Sequence, residues 1–483
     1  GMSLSTALNS AMTGITAASR STSVVSDNLA NALTEGYYRR TLNLSSNGAA
    51  GGVSIGSVQR MIDPAIQKSV RLAEATHASN SVTSSFYAQV SDRVGTVNDA
   101  YSVAQRLTDM ETALIEATSL PDSDARLNDL SMQAEELAMS IRDAADGVAT
   151  LRNKAEGSIN ALVNGLETDL ENLNEINKKI LAAEIRGQDP SGLQDRRDNL
   201  IDSINEVIPV QVYQRDNNQT ALYTTSGIKL IDGGSVAEFS FNKTSLVTPY
   251  MSIGNGQLSG LEIDGRSIDT SIDGKIGGGS LAAQFHVRDV AAVQAQNDLD
   301  TMAGDLIERF QDPTVDPTLG ATDPGIFTDN AAYYDNTNEL GIANRIEINS
   351  VIAMSGDAET WRLRDGLNAA AIGNRGDTTI LNNYGAALDA TNTISSPGLG
   401  SGDYSAYSIA ANLMTNFTQE NTWAEQQLAF SSAIYSDIQA RELEQGVDTD
   451  SELQTLMMVE TVYAANARMI QAIDEMMQEL MRL

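Results

Sequence analysis

Apolar and small residues recur at alternating steps of four and three at both ends of the chain. The N-terminal stripe consists of Leu4, Leu8, Ala11, Ile15, Ala18, Thr22, Val25, Leu29 and Ala32. The C-terminal stripe consists of Val459, Tyr463, Asn466, Ile470, Ile473, Met477 and Leu480. A repeat of about 3.5 residues is typical of helices that pack on other helices, so each end is predicted to be a helix that needs a partner. The expected partner is the other end of the same chain or the same end of a neighbouring copy.

Two features qualify this prediction. Asn466 is the one polar residue of the C-terminal stripe, and a polar residue at such a position can fix the register of a coiled coil. The N-terminal stretch is rich in Ser, Thr, Ala and Asn. A low-complexity linker is therefore the alternative interpretation of that stretch.

Between the ends, the hydrophobic period alternates between that of helices and that of strands. Helices are predicted at 64–186, 192–207, 280–311 and 404–445, and β structure at 208–278 and 345–353. Pro121 interrupts the first helical segment, and Asp124 is expected to cap the helix that follows. Residues 312–338 are rich in Pro, Gly and Asp and are predicted to form a loop.

These elements predict a mainly α fold with an inserted β domain, of the α+β class. The expected architecture is an elongated multi-domain rod, with the N- and C-terminal helices paired as a coiled coil, a helical bundle and a projecting β domain. The predicted domains are a terminal coiled-coil domain at 2–62 plus 446–483, a helical bundle at 63–207 plus 280–312 plus 366–445, an inserted β domain at 208–279, and an irregular insertion with short strands at 313–365.

The amino-acid composition argues against several classes of function. The 483 residues include 31 Lys and Arg against 64 Asp and Glu, which gives a net charge of −33. This balance argues against a general binder of nucleic acid or anionic membranes. No apolar run reaches the ~18 residues of a membrane-spanning helix, and residues 1–30 lack the pattern of a secretory signal peptide. The absence of Cys excludes disulfides and thiolate metal sites.

The negative charge lies in the body of the chain. The first 60 residues contain two acidic residues and four Arg, a net charge of +2. This segment can therefore be buried more easily than the acidic body, which must remain hydrated.

Few residues are candidates for catalysis or metal binding. The two histidines, His77 and His286, have no motif around them, and His77 is expected to be exposed. The segment from Asp195 to Asp198 is expected to form an ion-pair network in which neighbouring arginines keep both carboxylates ionised, rather than a catalytic pair.

An acidic loop remains open to two interpretations. Its carboxylates are those of Asp312, Asp316, Asp323 and Asp329. They could bind Ca²⁺, but their spacing is not that of an EF-hand, and a hydrated turn is the simpler interpretation. No cofactor and no metal are predicted.

The stretch from Ser26 to Arg40 resembles the N-terminal signature of the bacterial flagellar axial proteins, approximately S-x-N-x-A-N-x-x-T-x-G-Y-x-R. Its chemistry can be interpreted independently of the family. Asn28 and Asn31 can bond backbone groups where a helix ends, Gly36 can supply a turn, and Tyr37 can pack back onto the helix.

The C-terminal segment from Gly446 to Leu480 is similar to the closing helix of the same family, although Thr449–Ser451 and Glu460 depart from its usual residues. In the middle, Leu193–Ile201 and Gly277–Asp289 are similar to the hook-associated branch of the family, whose members join hook and filament. The long helical stretch at 64–186 agrees with that branch.

The resemblance implies a non-enzymatic structural subunit at the hook–filament junction that polymerises through its terminal helices. It implies as partners a ring of identical subunits, the hook protein, a second junction protein with the filament, and an export chaperone on the C-terminal helix. Neither nucleic acid nor membrane insertion is expected. The implied location is extracellular, in the flagellum, after export without a cleaved signal peptide. The alternatives are another axial protein, either hook subunit or flagellin, and a secreted metal-dependent glycan-acting enzyme.

The residues expected to mediate packing and assembly come from both stripes and from the signature. They are Leu4, Leu8, Ile15, Val25, Asn28, Leu29, Asn31, Gly36, Tyr37, Val459, Tyr463, Asn466, Ile470, Ile473, Met477 and Leu480.

Overall fold

The computed structural model describes residues 3–96 and 99–483. Residue 2, where the predicted terminal domain begins, and residues 97–98, in the predicted helical stretch, lie outside the described residues. The helices are α1 (Leu4–Ala30), α2 (Pro64–Val94), α3 (Val103–Ser119), α4 (Asp124–Ile185), α5 (Ser191–Val207), α6 (Ser280–His286), α7 (Ala292–Gln311), α8 (Ile342–Arg345), α9 (Arg362–Asp365), α10 (Thr379–Asp389), α11 (Ala406–Glu444) and α12 (Thr449–Arg482). The strands are β1 (Arg40–Ser46), β2 (Val53–Arg60), β3 (Val210–Arg215), β4 (Gln219–Thr224), β5 (Lys229–Asp232), β6 (Ser235–Val236), β7 (Phe239–Ser240), β8 (Leu261–Ile263), β9 (Arg266–Ile268), β10 (Phe327–Asp329), β11 (Ile346–Ile348), β12 (Asn392–Ile394) and β13 (Gly402–Tyr404).

The chain divides into two compact units. The terminal unit comprises residues 1–77, 165–238 and 431–483, and the middle unit comprises residues 78–164 and 239–430. Three of the divisions fall inside helices α2, α4 and α11, because one helix can supply its two halves to different cores. These divisions differ from the predicted domain boundaries, which remain a prediction.

The terminal unit is built on the pair of α1 and α12. Asn28 lies against Glu452, and Gly14 lies against Asn466, so the two helices run antiparallel. Each helix begins with a side-chain cap. Ser3 accepts a hydrogen bond from the Thr6 amide at 3.1 Å, and Asp448 accepts one from the Asp450 amide at 3.1 Å. The expected pairing of the chain ends is therefore present within one chain.

A β-hairpin follows α1 and differs from the sequence prediction, which has no strand before residue 208. Strands β1 and β2 pair antiparallel from Arg40 opposite Arg60 to Ser46 opposite Val53. Alternating apolar residues in both strands and the Gly51-Gly52 turn are signals that could have predicted this hairpin. That signal is weak, because the segment carries few charges and lies beside a strong helical repeat.

The segment predicted as one β domain is antiparallel but forms two sheets. The first has the strand order β3-β4-β5-β6 and belongs to the terminal unit. The second has the order β7-β8-β9 and belongs to the middle unit, where Asn153 and Arg152 of α4 donate hydrogen bonds to the carbonyls of Val247, Thr248 and Met251. These bonds tie the segment that follows β7 to the middle unit, which explains why the strand run divides.

The middle unit has an aliphatic core between α3, α4, α7, α10 and α11, with an aromatic group of Phe310, Phe327 and Tyr384. Helix α4 begins after Ser123, whose hydroxyl accepts a hydrogen bond from the Arg126 amide. The cap is thus Ser123 and not Asp124. The strand expected at 345–353 is limited to β11, since the residues after it form turns.

Candidate assembly surface at the chain ends

The antiparallel register explains which stripe residues are covered. On α1, Val25 is buried, and Leu4, Leu8, Ile15 and Leu29 are half-buried. On α12, the stripe residues divide between covered and exposed positions: Ile473 is buried, Val459, Asn466 and Ile470 are half-buried, and Tyr463, Met477 and Leu480 are exposed. Since residue 14 faces residue 466, Met477 and Leu480 lie opposite or beyond the first described turn of α1.

Small residues on α1 let the helices approach closely. Ala11, Gly14, Ala17 and Ala18 are all buried. A Cβ atom at Gly14 would lie 2.7 Å from the side-chain amide of Asn466, a distance at which the amide would have to move. The polar residue of the C-terminal stripe therefore sits against the one position of α1 that has no side chain. This arrangement disfavours a shifted register, because a shift would bring a residue of α1 that has a side chain against Asn466.

Asn28 connects the end of α1 to both the hairpin and α12. Its Nδ2 donates to the Arg40 carbonyl at 2.8 Å and to Glu452 Oε1 at 3.3 Å. Its Oδ1 accepts from the Arg40 amide at 2.9 Å and from the Tyr37 hydroxyl at 2.8 Å. Asn28 is buried, and these four bonds use all the donors and lone pairs of its side chain. We call Asn28, Tyr37, Arg39, Arg40 and Glu452 the polar junction.

The other signature residues shape the turn after α1. Asn31 Nδ2 donates to the Asp27 carbonyl, and its Oδ1 accepts from the Thr34 hydroxyl. Gly36 has φ of +78°, and a Cβ there would overlap the side-chain amide of Asn199. The Arg40 guanidinium lies 4.6 Å from the centre of the Tyr37 ring, and burial raises the pKa of Tyr37 to about 12. Tyr37 therefore remains a neutral hydrogen-bond donor to Asn28 at physiological pH.

Glu452 is the acidic partner that α12 contributes to the polar junction. Its side chain is buried, and its carboxylate accepts a hydrogen bond from Arg39 Nε at 2.6 Å. Burial of a charged carboxylate is costly unless donors surround it, and Arg39 and Asn28 supply those donors. Arg39 and Glu452 were not among the predicted packing residues, because nothing in their sequence spacing places them together.

A chain of ion pairs ties the hairpin to α5. Asp195 accepts from Arg40 at 3.1 Å and from Arg60 at 2.8 Å, and Asp198 accepts from Arg60 at 2.6 Å. Arg71 of α2 then pairs with Asp202 at 3.0 Å. We call these residues, Arg40, Arg60, Arg71, Asp195, Asp198 and Asp202, the arginine–aspartate cluster.

The predicted ion-pair network around Asp195 and Asp198 is present, but its arginines come from other elements. Arg197 turns away and donates to Asn177 Oδ1 at 3.0 Å. Burial raises the pKa of Asp195, and the hydrogen bonds and charges of Arg60 and Arg40 offset that effect only in part.

Helix α12 carries a second apolar stripe beside the one that faces α1. Its residues are also spaced by alternating fours and threes, and all of them are exposed: Met458, Val462, Ala465, Met469, Ala472 and Met476. We call this set the second stripe. A helix with two neighbouring heptad stripes can pack between two helices, and α1 covers only the first stripe.

The histidines differ from the sequence expectation in one respect. His77 is half-buried and not exposed, because its ring stacks on Tyr435 with centroids 5.8 Å apart. Burial lowers the pKa of His286 below its usual value, although Asp273 and Asp289 act in the opposite direction. Both side chains are packed as parts of helices.

The aspartates of the loop considered for Ca²⁺ each have partners within the chain. Asp312 and Asp316 accept from Thr314 and Thr318, Asp323 accepts from the Gly320 amide, and Asp329 pairs with Arg345 at 2.7 Å. Across residues 3–96 and 99–483, no group of three or more His, Cys, Asp or Glu is arranged to hold a metal ion. Within the same ranges, the helices lack the combination of length and apolarity that a membrane crossing requires.

Three family models match the chain in sequence order. The model for flagella basal body rod proteins matches residues 8–37, which cover most of α1 and of the signature. The model for the helical domain of flagellar hook-associated protein FlgK matches residues 87–313. The model for the C-terminal region of flagellar basal body rod FlgEFG proteins matches residues 444–483, which contain α12.

Individual relatives are similar to the chain at low identity. Flagellar hook-associated protein 1 of Salmonella typhimurium is 28% identical over 328 residues, and that of Escherichia coli is 23% identical over 319 residues. Each alignment covers 64% of this chain and 56% of the relative, so the chain spans just over half the length of these proteins. The protein of the same name from Bacillus subtilis is 22% identical over 98% of this chain and 97% of its own length.

A solved structure, that of the flagellar hook junction protein FlgK from Burkholderia pseudomallei, matches with a TM-score of 0.44 and 16% identity. That match covers 54% of this chain and 46% of the other. The terminal family models are those of flagellar axial proteins, and the chain is similar to them at both ends. In the middle, the chain is similar to the helical domain of flagellar hook-associated protein FlgK, and the relatives carry the name flagellar hook-associated protein 1.

Proposed function

We propose that the protein is a structural subunit of the bacterial flagellum that acts as an adaptor at the hook–filament junction and polymerises through its terminal helices. The observation that carries the proposal is the pair formed by α1 and α12, which still has an exposed heptad stripe on α12. The family matches at both ends and in the middle support the same role.

The occupant of the second stripe is a second copy of this chain. The two terminal family models, which match residues 8–37 and 444–483, support this choice. Repetition of this contact produces a ring of identical subunits.

The further partners follow from the family. They are the hook protein on one side, a second junction protein with the filament on the other, and an export chaperone that binds α12 before assembly. The protein acts outside the cell, in the flagellum. Its role is non-enzymatic, which agrees with carboxylates and histidines that are engaged in packing.

A strain that lacks the gene tests the junction role. We expect such a strain to retain the hook and lose the filament, and we expect the intact chain to restore the filament. Loss of the hook itself would instead indicate a hook subunit, and a filament that persists would contradict the proposal.

Deletion and substitution in α12 test the terminal helices. A chain without residues 453–483 should retain a folded middle unit and should not enter flagella. Met469→Lys places a charge on the second stripe and should likewise block incorporation. Gln471→Lys, an equal change on an exposed polar position of the same helix, should not. Equal incorporation of both full-length variants would exclude the second stripe as the contact.

A further inference from the structure

The middle unit contains a polar cleft of about 690 Å³, away from the chain ends that carry the proposed function. Helix α7 lines it together with α10, β12 and parts of the segment at 312–339, and all of these elements belong to the middle unit. Ligand sites of proteins have volumes of this order. The cleft is therefore large enough for a small organic molecule or for side chains of another protein.

The charges that line the cleft do not balance. Its acidic residues are Asp305, Glu308, Asp312 and Glu339, and its basic residue is Arg309. The Arg309 guanidinium is used within the chain, because Nε donates to Asp305 Oδ2 at 2.7 Å and Nη1 and Nη2 donate to backbone carbonyls at 2.7 and 3.0 Å. Among the described residues, none forms an ion pair with Glu308, Asp312 or Glu339. The cleft thus retains an excess of negative charge.

The surroundings of Glu308 show that these carboxylates repel one another. Burial raises the pKa of Glu308, and the negative charges of Asp305 and Glu339 raise it further. Carboxylates this close to each other are stabilised by a proton or by a cation. A bound cation would relieve the repulsion between Glu308 and Glu339.

A buried hydroxyl without a partner points into the same cleft. Tyr334 lines the cleft and is 2% exposed, and no described residue forms a hydrogen bond with its hydroxyl. The hydroxyl lies over Gly304 of α7, where a Cβ would be 2.8 Å from the phenolic oxygen. Burial and the charges of Glu339 and Glu308 raise the pKa of Tyr334 above its usual value, so the neutral oxygen can accept an N–H. A ligand that donates to it would remove the cost of a buried polar group without a partner.

The rest of the cleft surface includes aliphatic side chains, which are those of Val315, Ala386, Ala387, Ala390 and Ile394. Methylene groups of a linear amine can pack on them while its ammonium groups contact the carboxylates. A metal ion makes no use of such a surface, and the carboxylates in residues 3–96 and 99–483 are not grouped to hold one. The combination of acidic and aliphatic surface therefore favours an organic cation.

We propose that this cleft binds a linear alkylammonium ion with several charges. Its ammonium groups contact Glu308 and Glu339, one N–H is donated to the Tyr334 hydroxyl, and its methylene groups pack on the aliphatic side chains. A free polyamine and neighbouring lysine side chains of another protein both supply this chemistry. The site goes beyond the proposed function and does not depend on how the chain ends assemble.

Isothermal titration calorimetry of the full chain at ~0.15 M NaCl tests the site. Spermidine represents the free polyamine, trilysine represents lysine side chains, and hexaamminecobalt(III) has the same net charge without methylene groups. We expect spermidine or trilysine to bind at least about tenfold more tightly than hexaamminecobalt(III). Preference for spermidine would identify a free polyamine as the source, preference for trilysine would identify a protein, and either result supports the site.

Variants with matched charge separate the cleft from the overall charge of the chain. Glu308→Gln/Glu339→Gln should weaken binding of the preferred amine by about tenfold or more. Glu116→Gln/Glu425→Gln removes the same charge from exposed positions of α3 and α11 in the same unit and should leave binding unchanged. Tyr334→Phe should weaken binding by about threefold to tenfold and leave the free energy of unfolding in urea unchanged, since the hydroxyl has no partner to lose.

Three results would overturn the proposal. Equal losses of binding in the two double variants, or binding of hexaamminecobalt(III) as tight as that of the amines, would show that only the overall charge attracts cations. Absence of binding by both spermidine and trilysine would remove the site altogether. None of these results affects the proposed role at the junction, which the gene deletion tests separately.

Discussion

Asn28 uses every hydrogen-bonding position of its side chain on three separate parts of the chain. It joins the end of α1 to the turn at Tyr37, to the start of β1 at Arg40, and to α12 at Glu452. A Ser or Asp side chain cannot present two donors and two acceptors in one plane, which gives a physical reason for Asn at this position of the signature.

We therefore expect Asn28→Ala to destabilise the terminal unit by about 2–4 kcal/mol, since it leaves the Tyr37 hydroxyl and the Arg40 amide without their partner. Urea denaturation followed by circular dichroism measures the change. Asn31→Ala is the control, because Asn31 bonds only its own helix and the next turn, and it should cost less than about 1 kcal/mol. Equal losses in the two variants would contradict the role of Asn28 as a junction.

Gly36 serves two purposes that mutation can separate. Its positive φ disfavours any other residue, and its missing Cβ leaves space for Asn199. Gly187 has a similar φ of +70° with open space around it. We expect Gly187→Ala to cost about 1 kcal/mol and Gly36→Ala about 3 kcal/mol or more, measured by thermal unfolding. The double variant Gly36→Ala/Asn199→Ala should be more stable than Gly36→Ala alone. If it is not, the close approach to Asn199 is not the cause of the destabilisation.

At the scale of elements, periodicity predicts helices better than it predicts contacts. The stripes at both ends are long enough to reveal α1 and α12, and the signature reveals the turn at Gly36. The hairpin is short, with few charges, so its period of two is weak beside the helical repeat. The partners of Asp195 and Glu452 lie more than a hundred residues away, and no local spacing contains that information.

The arginine–aspartate cluster gives a prediction about the hairpin and α5. Arg60 lies between Asp195 and Asp198, and its side chain is 10% exposed. Arg60→Met should destabilise the terminal unit by about 3–5 kcal/mol, because two buried carboxylates lose their shared cation. Arg215→Met, which breaks an exposed pair with Asp232, should have little measurable effect. Chemical denaturation measures the free energy of unfolding of both variants. Similar small losses of this free energy would show that the arginine–aspartate cluster is not stabilising.

A pair of carboxyl groups between α2 and α5 predicts the pH dependence of the terminal unit. Burial, together with a hydrogen bond to Glu206, raises the pKa of Glu74 to about 9. Asp202 of α5 raises the pKa of Glu74 further, Arg71 of α2 lowers it, and Tyr435 of α11 faces the same carboxyl group. The folded chain therefore holds a proton that the unfolded chain releases near pH 4.5.

The direction in which stability changes with pH follows from this difference in bound protons. The contribution of Glu74 to stability is complete below about pH 4.5 and is lost as the pH rises through about 9. Glu74→Gln should flatten the fall in the free energy of unfolding over that window, measured by urea titrations from pH 5 to 9. Glu171→Gln, an exposed change on α4, should leave the slope as it is. An unchanged slope in Glu74→Gln would rule out the shared proton.

At the scale of the whole molecule, net charge is distributed unequally between the units. The terminal unit contains 16 basic and 27 acidic residues, a net charge of −11, and the middle unit contains 15 and 37, a net charge of −22. Two thirds of the excess negative charge is thus remote in sequence from the helices that are proposed to associate. Like-charged copies nevertheless repel one another as they approach, so apolar contact and electrostatic repulsion oppose each other.

Self-association should therefore strengthen with ionic strength. The Debye length falls from ~10 Å at 0.1 M salt to ~3 Å at 1 M, which screens repulsion between copies while the second stripe remains apolar. We expect the association constant from sedimentation velocity to rise between low and high NaCl, and sucrose at equal osmolality to have no comparable effect. Met469→Lys should remain unassociated throughout the series. Association of the unchanged chain that weakens with salt would mean that ion pairs, and not the second stripe, hold the copies together.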